Sequence, residues 1–359
     1  MLILDKNELK KYSIKERVWQ GIPSVAVTQK GRIFTCFYSG STTEDLGNYC
    51  VLLISDDDGE TFSTPVAVAY FGDNARAFDP CVWIDPENRL WFFYSVSPNQ
   101  KVYASVCNNP DADKLCFSDE REIAGEVMLN KPTVLNNGDW CLPVSVWGKG
   151  AMNSSEKLKE IYARLDQRDI ERKAFLFVSK DNGKTFEKRG GALPKERSFD
   201  EHMFLQTEDG LECFIRVNYG IGKSLSTDGG YNWSPVLDSG YFCPDTRFFI
   251  GRLSSGNILL VAHQKGDNPN NPNERTKLTA FLSEDGGETW KGKLLLDERI
   301  NVSYPDVQEN KGYIYVVYDR ERRSDGEILL AKFTEQDIID GKVNSKGYLK
   351  RLISKLKES

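Results

Sequence analysis

Histidine is scarce in this chain: only His202 and His263 occur in 359 residues. With no H-E-x-x-H motif and no Cys/His spacing suited to zinc, a metal centre finds little support. The phosphate-cradling pattern G-x-x-x-x-G-K-[ST] is missing as well, so no cofactor is expected. Eight cysteines (Cys36, Cys50, Cys81, Cys107, Cys116, Cys141, Cys213 and Cys243) include no C-x-x-C pair, and most lie in apolar, strand-like runs. Buried, reduced thiols are expected rather than disulfides or metal ligands. Basic blocks are lacking too. The 47 Lys and Arg stand against 53 Asp and Glu, a net charge of −6, which argues against nucleic acid or an anionic membrane as the main partner. No apolar run approaches membrane-spanning length. The opening MLILDKNELKKYS has only four apolar residues before its charges, too few for a signal-peptide core, so a cytoplasmic location is expected.

What the chain does contain is repetition. SDDDGETF at 55, SKDNGKTF at 179, STDGGYNW at 226 and SEDGGETW at 283 share the pattern S-x-D-x-G-x-[TN]-[FW]. Each reads as a hairpin turn: the aspartate accepts backbone N–H groups, the glycine permits positive φ, and the closing aromatic buries itself. A catalytic group is seldom needed in four copies, so the repeat marks scaffold.

A second repeat pairs a turn residue with a β-rich run: GRIFTCFYS at 31, NRLWFFYS at 88, GDWCLPVS at 138, GLECFIRV at 210, GNILLVAH at 256 and GYIYVVYD at 312. A shorter apolar run precedes each, making six hairpins, with the turn motifs following as second hairpins. Four strands in roughly 50 residues, six times over, predict an all-β, six-bladed β-propeller spanning residues 1–359 as one domain. The long third interval, with SSEKLKEIYARLDQRDIERK inside it, predicts a small helical insertion over about 149–173. The tail YLKRLISKLKES, apolar at Leu349, Leu352, Ile353 and Leu356, predicts a short C-terminal helix.

In a propeller the first strand of each blade starts, and the second ends, on one face of the central funnel. First strands start at WQGIPS (19–24), FDPC (78–81), NKPT (130–133), FDEHM (199–203), CPDTR (243–247) and SYPD (303–306). Second strands end at Trp147, Arg216, His263, Asp319 and Arg320. Among these, Glu201, Arg216 and Tyr304 bring an acid, a fixed cation and a phenol to one ring, where none is needed for strand formation alone.

Together, the four turns, FDEHMFLQTEDGLECFIR, RTKLTAFLSEDGGETW and SYPDVQENKGYIYVVYD resemble bacterial exo-sialidases and their sialidase-like relatives over essentially the whole chain. The resemblance implies a retaining glycosidase that uses a tyrosine nucleophile, an exception to the usual pair of carboxylates. Tyr304 matches the nucleophile, Glu201 its base, and Arg216 and Arg275 two substrate-binding arginines. A neutral phenol suits a sugar with a carboxylate on its anomeric carbon, which would repel a carboxylate nucleophile. Forked guanidinium donors suit that carboxylate.

The chain departs from the pattern at one place: the family's first arginine, directly before Ile-Pro, is Gly21 here, behind Trp19 and Gln20. A sugar lacking that carboxylate, or presenting it differently, is therefore expected, with Trp19 and Gln20 at the substrate. Asp319, near the acid that steadies that arginine in the family, is expected to pair instead with Arg320 or Arg76. The general acid falls in SGSTTEDLGNY, as Asp45 or Glu44, with Asp79 the rival. Arg247 and His202 are further pocket residues. The partner implied is carbohydrate, and the alternative to hydrolysis is a propeller that binds glycans without cleaving them.

Overall fold

A computed structural model of the protein describes residues 1–146, 155–165 and 170–356. Six antiparallel sheets follow one another along the chain, each running outward from the axis strand by strand, and the first gains the N-terminal strand Leu2–Ile3 at its outer edge, against Ala67–Ala69. Their inner strands are Trp19–Val27, Arg76–Ile84, the broken pair Val127–Met128 and Thr133–Val134, Arg197–Gln206, Phe249–Arg252 and Val302–Asn310. Their second strands are Ile33–Gly40, Leu90–Ser97, Trp140–Ser145, Leu211–Val217, Ile258–His263 and Tyr313–Arg320, on the six β-rich runs of the sequence. The architecture is the expected six-bladed propeller.

Six apolar clusters hold the ring, one at each interface between neighbouring blades. Alternation explains them: successive strand residues point to opposite faces, and both faces of a blade meet another blade. Between blades two and three, for example, Trp83 and Trp91 pack edge-on against Trp140, at centroid distances of 4.7 and 5.6 Å. Blades one and six share no strand. Their junction rests on side chains, with Val25, Val27 and Phe37 against Tyr315, Val317 and Leu330.

The four repeated turns join third to fourth strands, at the outer end of the blades away from the funnel mouth. In SEDGGETW, Ser283 Oγ donates to Asp285 and accepts the Gly287 amide, while Asp285 also accepts the Thr289 amide. The other three turns repeat this geometry. Hydrogen bonds from the threonine or asparagine hold all four aspartates down at about 2.

Two elements differ from expectation. The tail is a strand, Tyr348–Ser354, paired with Glu327–Phe333 through Leu329↔Leu352 and Leu330↔Arg351. Its i, i+3 apolar spacing resembled a helix, but the last blade needs a fourth strand; Leu349 and Ile353 pack inward while Leu352 is exposed. The insertion supplies the helix Glu156–Leu165, whose Leu158, Ile161 and Tyr162 are buried against Leu46. Trp147 and the rest of 147–154, with 166–169, lie outside the described residues.

Candidate active site

Four inner strands carry a bulge at the funnel mouth, where the ladder slips between Gly21 and Ser24, Phe78 and Cys81, Arg197 and His202, and Ser303 and Asp306. The residue at the slip is left-handed: Ile22 at φ 56°, Asp79 at 48°, Asp200 at 54° and Tyr304 at 56°. Proline follows three of them (Pro23, Pro80, Pro305) and removes a donor from the ladder. Bulges of this kind re-aim side chains. A left-handed non-glycine residue costs about 1–2 kcal/mol, and a β-branched one such as Ile22 is a genuine outlier. Asp319 Oδ2 steadies Ile22 by accepting its amide at 2.7 Å.

The re-aimed residues open onto a pocket of about 520 Å³ lined by five arginines and five carboxyl groups, with Ile22, Phe199, Asn301, Ser303 and Tyr304. At its floor Tyr304 Oη donates to Glu201 Oε1 at 3.0 Å, and Arg216 Nη1 lies 3.0 Å from both Tyr304 Oη and Glu201 Oε1. All three residues are buried. Burial first, and then the charge of Glu201, push the Tyr304 phenol up, against the pull of Arg216, Arg322 and Arg275. The resting phenol is therefore neutral and needs a base to ionise, and Glu201 is the carboxylate in contact with it. Glu201 Oε2 is buried without a hydrogen-bond partner.

The three acid candidates separate. Asp79 is buried in the pocket wall, and burial, then Glu44 and Glu201, push its carboxyl well up despite Arg76 and Arg247. Glu44 lines the same pocket, 3.6 Å from Arg322 Nη1. Asp45 is turned to the insertion, where its carboxylate accepts the Ser155 amide at 2.8 Å and the Ser155 hydroxyl at 2.7 Å. Ser155 Oγ in turn accepts the Leu158 amide, so Asp45 anchors the start of the helix.

The arginines also divide. Arg216 Nε donates to Asp245 Oδ1 at 2.6 Å and Nη2 to the Asp245 carbonyl at 3.0 Å, while Arg275 Nη2 donates to the same carbonyl at 2.8 Å. Arg322 went unread in the sequence. Its Nε pairs with Asp319 Oδ2 at 3.4 Å, so Asp319 is partnered by neither Arg320 nor Arg76. Arg320 pairs with Glu327, and Arg76 donates to Tyr162 Oη of the insertion helix. The one signal in the sequence was the loss of every side-chain atom at position 21: a Cβ there would stand 2.1 Å from Arg322 Cδ and 2.5 Å from its Cγ.

Four expected pocket residues serve the scaffold instead. Arg247 is buried on the axis, donating to Asn130 Oδ1, the Pro23 carbonyl and Asp306 Oδ1. Lys131 and Ser24 meet the other oxygen of Asp306, completing a charged plug beneath Tyr304. His202 is buried with its ring nitrogens at the Asp200 and Phe175 carbonyls, 2.9 Å each, and burial pulls it down to about 4. Trp19 packs edge-on against Tyr38. Gln20 Nε2 reaches the Gly326 carbonyl and Ser354 Oγ, tying blade one to blade six. His202, Trp19 and Gln20 have the right position along their strands but point into blade interfaces, whereas Arg247, just ahead of its strand, points to the axis.

Comparison with known proteins agrees with this architecture. A xyloglucanase from Acetivibrio thermocellus is 26% identical over 159 residues, covering 40% of this chain, and the chain spans only 19% of that enzyme's length. Among solved structures, a Hadza microbial sialidase superposes with a TM-score of 0.66 at 15% identity, covering 89% of this chain and 66% of its own. A leech intramolecular trans-sialidase, complexed with 2,7-anhydro-Neu5Ac, superposes with a TM-score of 0.66 at 13% identity, over 92% of this chain and 70% of its own. The BNR repeat-like domain model matches residues 34–316, and the chain belongs to that family, with a sialidase-like propeller fold.

Proposed function

We propose that the protein is a retaining exo-glycosidase of the sialidase type, acting on a terminal sugar with Tyr304 as nucleophile. The contact among Tyr304, Glu201 and Arg216 at 3.0 Å on the pocket floor carries this reading. Glu201 takes the phenolic proton as the phenol oxygen bonds to the anomeric carbon. The bond to the leaving oxygen breaks, and Asp79, whose carboxyl burial pushes well up, supplies that oxygen with a proton. In the second half water attacks the anomeric carbon, gives a proton to the Asp79 carboxylate, and the departing phenolate recovers its proton from Glu201. Arg216 faces the phenol oxygen throughout and stabilises negative charge on it.

Aryl α-glycosides, sialosides included, test the proposal. Glu201→Gln should lower turnover by about 10²–10⁴-fold, the usual contribution of a positioned base. Tyr304→Phe should lower it at least as much. Full turnover in either variant sinks the assignment, and glycan binding with no sugar released by the unaltered protein favours the non-cleaving alternative.

A further inference from the structure

We propose that Tyr162, on the insertion helix Glu156–Leu165, is a positioning residue for the acid of this pocket, its hydroxyl holding the Arg76 guanidinium off Asp79. This deepens the glycosidase reading and rests on it for the role of Asp79 as proton donor.

Blade three sends this helix across to blades one and two. Leu158, Ile161 and Tyr162, at the spacing of one helical face, are buried against Leu46 of blade one. Lys157 Nζ donates to Asn74 Oδ1 at 2.6 Å, two residues before Arg76. Arg76 opens the inner strand of blade two and is 1% exposed, with Asp79 three residues on, at the bulge. Both line the pocket, and Tyr162 stands behind them. Among the described residues the Arg76 guanidinium has one close acceptor, the Tyr162 hydroxyl, which takes Nη2. Its Nη1 lies 3.4 Å from Tyr38 Oη and 3.5 Å from the Glu44 carbonyl, at the far end of hydrogen-bond range, and its Nε is buried without a partner. Two rings seat the cation as well, with Cζ 4.2 Å from the centre of Phe78 and 5.4 Å from that of Tyr162.

The groups facing Asp79 are Glu44 and Cys50 of blade one, Glu201 of blade four, Arg247 ahead of the inner strand of blade five, and Arg76 on its own strand. Burial first, and then the two glutamates, push its carboxyl up, and the two arginines oppose them. Arg247 is fixed by three acceptors, Asn130 Oδ1, the Pro23 carbonyl and Asp306 Oδ1. Arg76 is the cation with a choice. A buried guanidinium that loses its acceptor turns to a carboxylate within reach, because a buried charge left unpaired is strongly disfavoured. Paired with Arg76, Asp79 would be held ionised, and an ionised carboxyl has no proton to give a leaving oxygen. A hydroxyl from blade three, in place of a carboxylate, therefore leaves the acid its proton. Substrates whose leaving group is another sugar need that proton most.

Infrared difference spectra through a pH series read the acid without turnover, the protonated-carboxyl stretch of Asp79 being the band that Asp79→Asn removes. Tyr162→Phe keeps the buried ring and removes the acceptor, and should lower the pH at which that band is lost by about one pH unit or more. On alkyl glycosides the basic limb of kcat/KM should move down with it, and turnover at neutral pH should fall about tenfold or more. On nitrophenyl glycosides, whose leaving group needs little protonation, turnover should stay within about threefold. Tyr162→Phe combined with Arg76→Met removes the freed cation and should return both the band and the basic limb to their wild-type pH or above, a rescue that damage to packing would not give. An Asp79 band missing from wild type at neutral pH, or one that titrates alike in wild type and Tyr162→Phe, overturns the proposal while leaving Tyr304 chemistry standing. A band that shifts with Tyr162→Phe in a protein that releases no sugar would sink the glycosidase reading and leave the hold of Tyr162 on Arg76.

Discussion

Replacing Asp306 with alanine should be among the most damaging single changes in the scaffold. Its carboxylate is 1% exposed and faces Arg247 Nη2 at 3.0 Å, the Ser24 hydroxyl at 2.6 Å, the Val25 amide at 2.9 Å and Lys131 Nζ. Alanine would strand two cations on the axis, and removing one partner of a buried ion pair costs about 3–5 kcal/mol. With a urea m-value of about 3 kcal/mol/M, the midpoint falls by roughly 1 M or more. Tryptophan fluorescence through a urea series reads this directly, with Asp306→Asn, which keeps an acceptor but loses the charge, expected about halfway. The effect has a pH signature. Burial pushes the Asp306 carboxyl up, but Lys131 and Arg247 outweigh burial and hold it below its ordinary value. A carboxyl depressed in the folded state stabilises fully above its unfolded value, near 3.8, and that contribution is lost as pH falls through the folded value. The gap between wild type and Asp306→Ala should therefore be constant from pH 5 to 7 and close below about 4. A loss under about 1 kcal/mol at neutral pH, within the range of ordinary substitutions, would refute the plug as a source of stability.

The acids make a paired prediction. Asp45→Ala should release the helix Glu156–Leu165 to proteolysis, by loss of an anchor worth about 1–2 kcal/mol, and leave turnover within a few-fold. Asp79→Asn should abolish most turnover on substrates with poor leaving groups, and the reverse outcome would return the acid role to Asp45. In the turns, Gly183 has φ 79° and its Cβ would stand 2.4 Å from Trp140 and 2.7 Å from Trp91, whereas Gly138, at φ 87°, has open space around it. Thermal or urea unfolding should show Gly183→Ala losing more than about 2 kcal/mol and Gly138→Ala about 1 kcal/mol; equal losses would mean that backbone strain alone accounts for both.

Periodicity carried the fold because each blade repeats a short-range pattern, a turn residue followed by an alternating run, that needs no knowledge of distant contacts. The tail shows the limit: Leu349, Leu352 and Ile353 fit helical spacing, and only the bare edge of Glu327–Phe333 decides for a strand. For the site, strand position located Tyr304, Glu201, Arg216 and Asp79 at one mouth, and the family resemblance added Arg275. It could not say which way a side chain leaves a bulged strand. Gln20 lies one residue before Gly21 and His202 one after Glu201, yet both point into blade interfaces. Arg322 was hidden for a different reason: its one trace, the missing side chain at position 21, lies across the ring closure rather than near it in the chain.

The ring closure is also where strain and charge meet. The inner strands of blades one and six run side by side, and their left-handed residues, Ile22 and Tyr304, both line the pocket. Asp319 ties them together: its Oδ2 accepts the Ile22 amide and faces Arg322, and its Oδ1 accepts the Ser303 hydroxyl, next in chain to Tyr304. Burial pushes the Asp319 carboxyl up, while Arg322, Ser303 and the Ile22 amide pull it back, so Arg322 serves the acid that holds both bulges. A guanidinium from blade six therefore gives electrostatic support to the strand that carries Tyr304. An arginine from elsewhere in the pocket, such as Arg76 beside Tyr162, is engaged at another wall and takes no part in that link.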